Sequence, residues 1–201
     1  MLSWDALDPL PFTHSGAVTT AFLAIPKTDL RAAARYVCEL PYGRNSVPDA
    51  PLIVLTDRRG TCSTKHALLR RLATEQGFDL ALVLGIYEMT GRNTPGVGAV
   101  LRRHGLTSLP EAHCYLRTGG RRLDLTKARS DCRSEPIEYF LHEEEIDAAQ
   151  ITHYKTALHK KFLEKWIAER ATLNGLSLDQ VWAIREECIG RLSQMNPTAS
   201  R

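Results

Sequence analysis

The chain has no Cys-x-x-Cys pair, and its five cysteines (Cys38, Cys62, Cys114, Cys132 and Cys188) are widely spaced and odd in number. Such spacing excludes the paired-thiolate zinc modules and argues against a disulfide framework. The opening Met1-Leu2-Ser3-Trp4-Asp5 lacks the basic residues of a secretory leader. The apolar stretch 17–25 is nine residues long and includes two threonines, far short of the ~20 residues that a membrane helix needs. The expectation is a soluble, cytoplasmic protein with reduced thiols and no membrane partner. Charge is nearly balanced. The 26 basic and 23 acidic side chains leave a formal net charge of +3, too little to predict a nucleic-acid partner. Repeats and low-complexity tracts are absent as well. With 43% apolar and 24% charged residues over 201 positions, the chain can bury a substantial core and reads as a single domain, 1–201.

What is present is a pattern that changes along the chain. Residues 1–27 are punctuated by Pro9, Pro11 and Pro26, with a strand expected over 17–25. Thr28 or Asp29 can cap a helix whose face carries Leu30, Ala33, Ala34, Val37 and Leu40, and Pro41 stops it. After a polar loop and a short apolar segment (52–55), a helix is expected to start at Cys62, turn Leu68, Leu69 and Leu72 inward, and end at Gly77. Residues 80–87 have the continuous apolar character of a buried strand. Thr94-Pro95 ahead of Val97, Val100 and Leu101 predicts a short capped helix ending near Gly105. Gly119-Gly120 between segments 111–118 and 121–126 predicts a hairpin with a two-residue turn. Beyond it, residues 135–195 read as a C-terminal helical extension. There Glu143-Glu144-Glu145 looks like the exposed start of a helix, and Tyr154, Leu158, Phe162 and Trp166 recur every four residues. Ser177-x-x-Gln180 then forms a capping box ahead of Val181, Ile184, Cys188 and Leu192.

The chemistry-bearing residues cluster in two places. Gly60-Thr61-Cys62 puts a thiol where a turn becomes a helix, beside unpaired backbone N–H groups and the positive end of the helix dipole. Both favour the thiolate, the reactive form of cysteine. Downstream, Glu111-Ala112-His113 and Leu123-Asp124 supply a base and a group to orient it. If Gly119-Gly120 is a two-residue turn, Thr118 faces Arg121, Tyr115 faces Asp124 and His113 faces Thr126. His113, Tyr115, Asp124 and Thr126 then share one face, with His113 and Asp124 as diagonal neighbours that a carboxylate can bridge.

Gly60-Thr61-Cys62 opening a helix, Gly77 closing it, a strand ending Leu84-Gly85-Ile86-Tyr87, then His113 and Leu123-Asp124-Leu125-Thr126, resembles the transglutaminase-like superfamily. His113 follows Cys62 by 51 positions and Asp124 follows His113 by 11, similar to that family's spacing. The resemblance covers residues 28–130. It implies an α+β, papain-like fold in which the cysteine helix packs on an antiparallel sheet bearing His and Asp. It makes Cys62 the nucleophile, His113 the general base and acid, and Asp124 the orienter, with no cofactor. The family commonly carries tryptophan two residues after the histidine and proline after the aspartate; this chain has Tyr115 and Leu125 there. The implied activity is cleavage of an amide bond in a peptide, protein or small molecule through a Cys62 thioester. Amine transfer, or a binding module on the same fold without turnover, are the alternatives. For the oxyanion, the Cys62 N–H is one donor, with Tyr42 and Asn45 of the preceding loop as weaker ones; His66 and Tyr115 are further neighbours of the site.

Each residue also has a plainer reading. A cysteine at a helix start is often only a small buried residue, and His66, four positions after Cys62, can be a satisfied polar neighbour. Zinc is a rival for the same side chains, through Cys62, His66, His113 and Cys114 or Cys132, although Cys114 should point away from His113 on a strand. Between Arg102 and Arg133, eight basic residues face three acidic ones, which suits either a charged hairpin edge or an anionic substrate.

Overall fold

A pair of long antiparallel strands, Ala81–Thr90 (β1) and Ser108–Thr118 (β2), organises the fold. The computed structural model describes residues 3–126, 137–170 and 175–194. It adds Arg121–Leu123 (β3) beside β2 and His142–Glu145 (β4) beside β1, so the sheet runs β3-β2-β1-β4 and is antiparallel throughout. The helices are Ala17–Ala24 (α1), Leu30–Glu39 (α2), Ile53–Asp57 (α3), Cys62–Gln76 (α4), Gly98–Arg103 (α5), His153–Ala168 (α6) and Leu178–Gln194 (α7). This is a mixed α+β architecture. None of the helices among the described residues is long and apolar enough to cross a membrane.

Strand alternation builds two cores. Leu82, Leu84 and Ile86 of β1, with Ala112, Cys114 and Leu116 of β2, pack against α1, α2 and α4. The intervening Val83, Tyr87, Met89, Leu109 and Tyr115 pack against α5, α6 and α7. Burial on both faces explains why segment 80–87 is continuously apolar rather than alternating.

α4 forms as its signals require. The Thr61 side chain accepts from the Thr64 N–H while the Thr64 hydroxyl accepts from the Thr61 N–H, closing a capping box, and Gly77 ends the helix at φ 69°. A Cβ on Gly60 would come within 2.9 Å of Lys65 and Thr64, so only glycine lets the chain fold this tightly into the helix. α2 is capped by Asp29, whose carboxylate accepts from the Ala32 N–H at 2.8 Å. The Ser177–Gln180 box is present ahead of α7, at 2.8 and 3.2 Å. The hairpin has the expected register, Thr118 opposite Arg121, with Gly119 and Gly120 both at positive φ as a two-residue turn of this hand demands.

Four expectations need correction. Segment 17–25 is helical, not a strand. Its Val and Thr residues favour strands, but the Glu75 carboxylate of α4 accepts from the Val18 and Thr19 N–H groups at 2.9 and 2.7 Å and caps α1 from a distance. Glu143-Glu144-Glu145 belongs to β4, not to a helix start; β4 fills the open edge of β1, and Arg122 and Arg117 neutralise Glu143. The extension is therefore not wholly helical. The buried stripe of α6 is His159, Leu163 and Trp166; of the Tyr154 series only Trp166 is buried, for Tyr154 is exposed and Leu158 and Phe162 are half-buried. The helix after Thr94-Pro95 forms, but the Thr94 hydroxyl bonds Tyr87 at 3.0 Å instead of capping it. Of the apolar segment 52–55, residues 53–55 lie in α3 and Leu52 is its N-cap residue.

One buried charge ties these layers together. Lys65 is fully buried, and its ammonium donates to the carbonyls of Leu40 (2.6 Å), Thr126 (2.9 Å) and Cys38 (3.4 Å). It thereby joins the end of α2 to the segment after β3. Lys65→Met keeps the aliphatic stem but strips three carbonyls of their donor, so we expect a loss of about 2–4 kcal/mol. Urea denaturation measures it; a loss below about 0.5 kcal/mol, the scale of an ordinary surface substitution, would contradict the role assigned to the clamp.

Candidate active site

β3 stops at Leu123, and what replaces it makes the site. Continuing the ladder past Leu116–Leu123 would pair Cys114 with Leu125 through two backbone hydrogen bonds. The first turn of α4 takes that place. The Cys114 N–H bonds the Cys62 sulfur, and the Leu125 N–H donates to His66 Nε2 at 2.8 Å. Cys62 and His66, one helical turn apart, thus wedge between β2 and the chain leaving β3, while Lys65 holds the Thr126 carbonyl beside them.

This wedge brings the predicted trio together. His113 Nε2 lies 2.8 Å from Asp124 Oδ2, which leaves Nδ1 for the Cys62 thiol, its side-chain hydrogen-bond partner. Asp124 is held in turn by Thr126, whose N–H and hydroxyl donate to Oδ1 at 2.9 and 2.6 Å. Thr126, predicted on the same face, is the residue that fixes the carboxylate.

Burial sets the electrostatic problem and pairing solves it. Cys62 keeps 8% of its surface exposed. Burial alone would push its thiol up, but the Lys155 ammonium, the charge and hydrogen bond of His113, and the Cys114 N–H pull it down to about 6. Burial works against the charged form of His113 too. Asp124 and Cys62 overcome it and raise the imidazole well above its usual value. Asp124, despite burial, is held well below the carboxylate range, chiefly by His113. The favoured state is a thiolate–imidazolium pair with an ionised orienter.

The other predicted residues have defined places. His66 is fully buried, and burial lowers its pKa to about 4, so the ring is neutral. With Nε2 accepting from Leu125, its proton lies on Nδ1. Its role is to hold the Asp124 segment. Asn45 is committed to the turn itself: its amide donates to Asp57 (3.2 Å) and the Arg59 carbonyl (2.9 Å), and its oxygen accepts from Thr64 (2.7 Å). It is not available to an oxyanion. The Tyr42 phenol is held protonated by desolvation and by the neighbouring Cys62 and Glu111. Tyr115 stacks on the His113 ring, centroids 6.5 Å apart, and its hydroxyl donates to Glu143 of β4. Cys114 faces the opposite core from Tyr115, as alternation predicts. Among the described residues no three His, Cys, Asp or Glu side chains are grouped to hold a metal ion. Cys132, Lys127, Arg129 and Arg133 lie outside the described residues.

Two features escaped the sequence. Lys155 of α6 donates to Ser63 Oγ at 2.7 Å, and Ser63 Oγ lies 3.8 Å from the Cys62 sulfur. Glu111, adjacent in sequence to the histidine strand segment, is buried in a two-bond pair with Arg185 of α7 (2.8 and 2.5 Å) and is not a base. Extending the buried α6 stripe back from Leu163 by fours gives His159 and then Lys155; that spacing is the signal that could have found the lysine. A shallow cavity of about 520 Å³ lined by Trp4, Lys27, Arg31, Arg35 and Tyr36 shares no residue with this cluster.

No family model, no curated protein and no solved structure matches this chain.

The thiols should separate sharply in reactivity. Burial pushes Cys38 and Cys188 up to about 11 and raises Cys114 as well, whereas Cys62 lies near 6. Iodoacetamide at pH 6.5 is expected to label Cys62 well before these three, as read by peptide mass spectrometry; equal labelling would remove Cys62 as a nucleophile.

Proposed function

We propose that this chain is a thiol hydrolase of transglutaminase-like type, which cleaves an amide bond through a Cys62 thioester. The observation that carries this reading is the hydrogen-bonded chain Asp124–His113–Cys62, with the thiol acidified at a helix N-terminus. The residue-by-residue likeness in the order Cys, His, Asp supports the same assignment.

The geometry divides the labour as follows. The Cys62 sulfur attacks the amide carbonyl, and the new oxyanion takes the amides of Cys62 and Ser63, which have no intrahelical acceptor in the first turn of α4. His113 Nδ1 gives its proton to the leaving nitrogen, the C–N bond breaks, and a thioester remains. Water then attacks the thioester, His113 takes a proton from it, and the acid departs as the thiolate is restored. Asp124 keeps the imidazole aimed throughout.

The two titrations set a bell. Below about 6 the thiol is protonated and attack is lost; above the raised His113 pKa the imidazolium loses the proton that the leaving nitrogen needs. For an amide substrate, kcat/KM is expected to rise through pH 6 and fall only well above pH 6.5. A single alkaline rise near the free-thiol value of about 8.5 would contradict the ion pair.

Hydrolysis is favoured over amine transfer by charge. The Lys155 ammonium borders the thiol and opposes the approach of a second ammonium group. Added primary amine is expected to leave free acid as the main product in mass spectrometry of the reaction mixture. A majority of amine adduct would turn the reading to transfer.

A further inference from the structure

Lys155 favours the Cys62 thiolate alongside His113, yet it comes from α6, outside the segment that carries Cys, His and Asp. Lys155 is half-buried, and among the described residues its ammonium has one hydrogen bond, at 2.7 Å, to the Ser63 hydroxyl, which lies 3.8 Å from the Cys62 sulfur. A hydroxyl that accepts from an ammonium has its own proton left to donate to a sulfur, and the sulfurs of both Cys62 (3.8 Å) and Cys114 are its partners. The chain ammonium–hydroxyl–sulfur is therefore polarised in one direction, with negative charge favoured at the thiol end. The carboxylate of Glu111, which would otherwise compete for Lys155, is occupied by both arms of Arg185.

We propose that Lys155 is a positioning residue for the nucleophile: through Ser63 it holds Cys62 as the thiolate, so that the reactivity of the thiol depends on α6 being docked against β2. This rests on the hydrolase reading for its purpose but not for its test, since thiolate formation is measured without turnover. The titratable groups facing Cys62 are His113 and Cys114 from β2, Tyr87 from β1, Tyr42 from the loop after α2 and Lys155 itself. Tyr42, Tyr87 and Cys114 are all held protonated, mainly by burial, which leaves His113 and Lys155 as the two cations. Removing Lys155 leaves one cation against the cost of burial.

The experiment is the pH profile of iodoacetamide labelling of Cys62 in the full chain, for wild type, Lys155→Met, Lys155→Arg and Ser63→Ala. Lys155→Met keeps the stem and removes the charge. Its labelling midpoint is expected to rise by at least about one pH unit, a tenfold loss of thiolate on the acid side. Lys155→Arg restores the charge and should return most of the shift; Ser63→Ala, which leaves the lysine in place, should produce a smaller rise. A folding check by circular dichroism accompanies each, and Ser63→Ala carries the test alone if Lys155→Met does not fold. A depressed wild-type midpoint that neither variant moves would overturn the lysine assignment while leaving the Cys–His–Asp reading standing. A wild-type midpoint at the ordinary thiol value would overturn both. Normal thiolate formation without turnover on any amide would remove the hydrolase reading alone.

Discussion

Everything in the candidate site follows from a strand that ends one pair too early. Where β3 leaves the sheet after Leu123, two backbone N–H groups lose their ladder partners. Burial without replacements would cost on the order of 1–3 kcal/mol for each. The first turn of α4 supplies the replacements from side chains: sulfur for the Cys114 N–H, imidazole for the Leu125 N–H, and an ammonium for the next carbonyl, that of Thr126. The groups that satisfy the broken ladder are therefore the same groups that place a thiol against His113 and hold Asp124 to its other nitrogen. Stability and chemistry share one set of contacts.

The interior is unusually rich in paired charge for a chain with so balanced a composition. Lys65 is enclosed by carbonyls, Glu111 by Arg185, and Asp124 by His113 and Thr126. In each case desolvation opposes the ion and a short, directed bond restores it. Cys62 is the exception in kind, because a thiol can escape burial by staying protonated. It needs two cations to do otherwise, and they approach from different elements: His113 from the sheet and Lys155 from α6. The helical segment after the sheet thus takes part in the electrostatics of the thiol as well as covering an apolar face.

What was legible in the sequence was local. A cap and its helix lie within a few residues of each other, so Thr28-Asp29 and the Gly60-Thr61-Cys62 turn announce their helices, and Gly119-Gly120 announces both a turn and its register. From that register alone, His113 and Asp124 fall on one face, and the 2.8 Å contact between them is a geometry that counting by twos permits. The failures that reshape the fold are long-range. Glu75 caps a helix 57 positions earlier at Val18, and no pattern within 17–25 reveals it. Glu143 joins an edge strand because β1 offers an unpaired side and Arg122 a counter-charge. The enclosure of Lys65, Lys155 and Glu111 shows only once the elements around them are assembled.

The wedge also restricts how such a site can change. Cys62, Lys65 and His66 act from one turn of helix, and each added or deleted residue rotates everything beyond it by about 100°. One insertion between Cys62 and Lys65 would swing the ammonium and the imidazole away from their partners together, parting the Cys62 thiol from the segment that bears Asp124. Loops elsewhere can lengthen one residue at a time. This turn has no such intermediate steps, and its spacing can vary only by replacement in place.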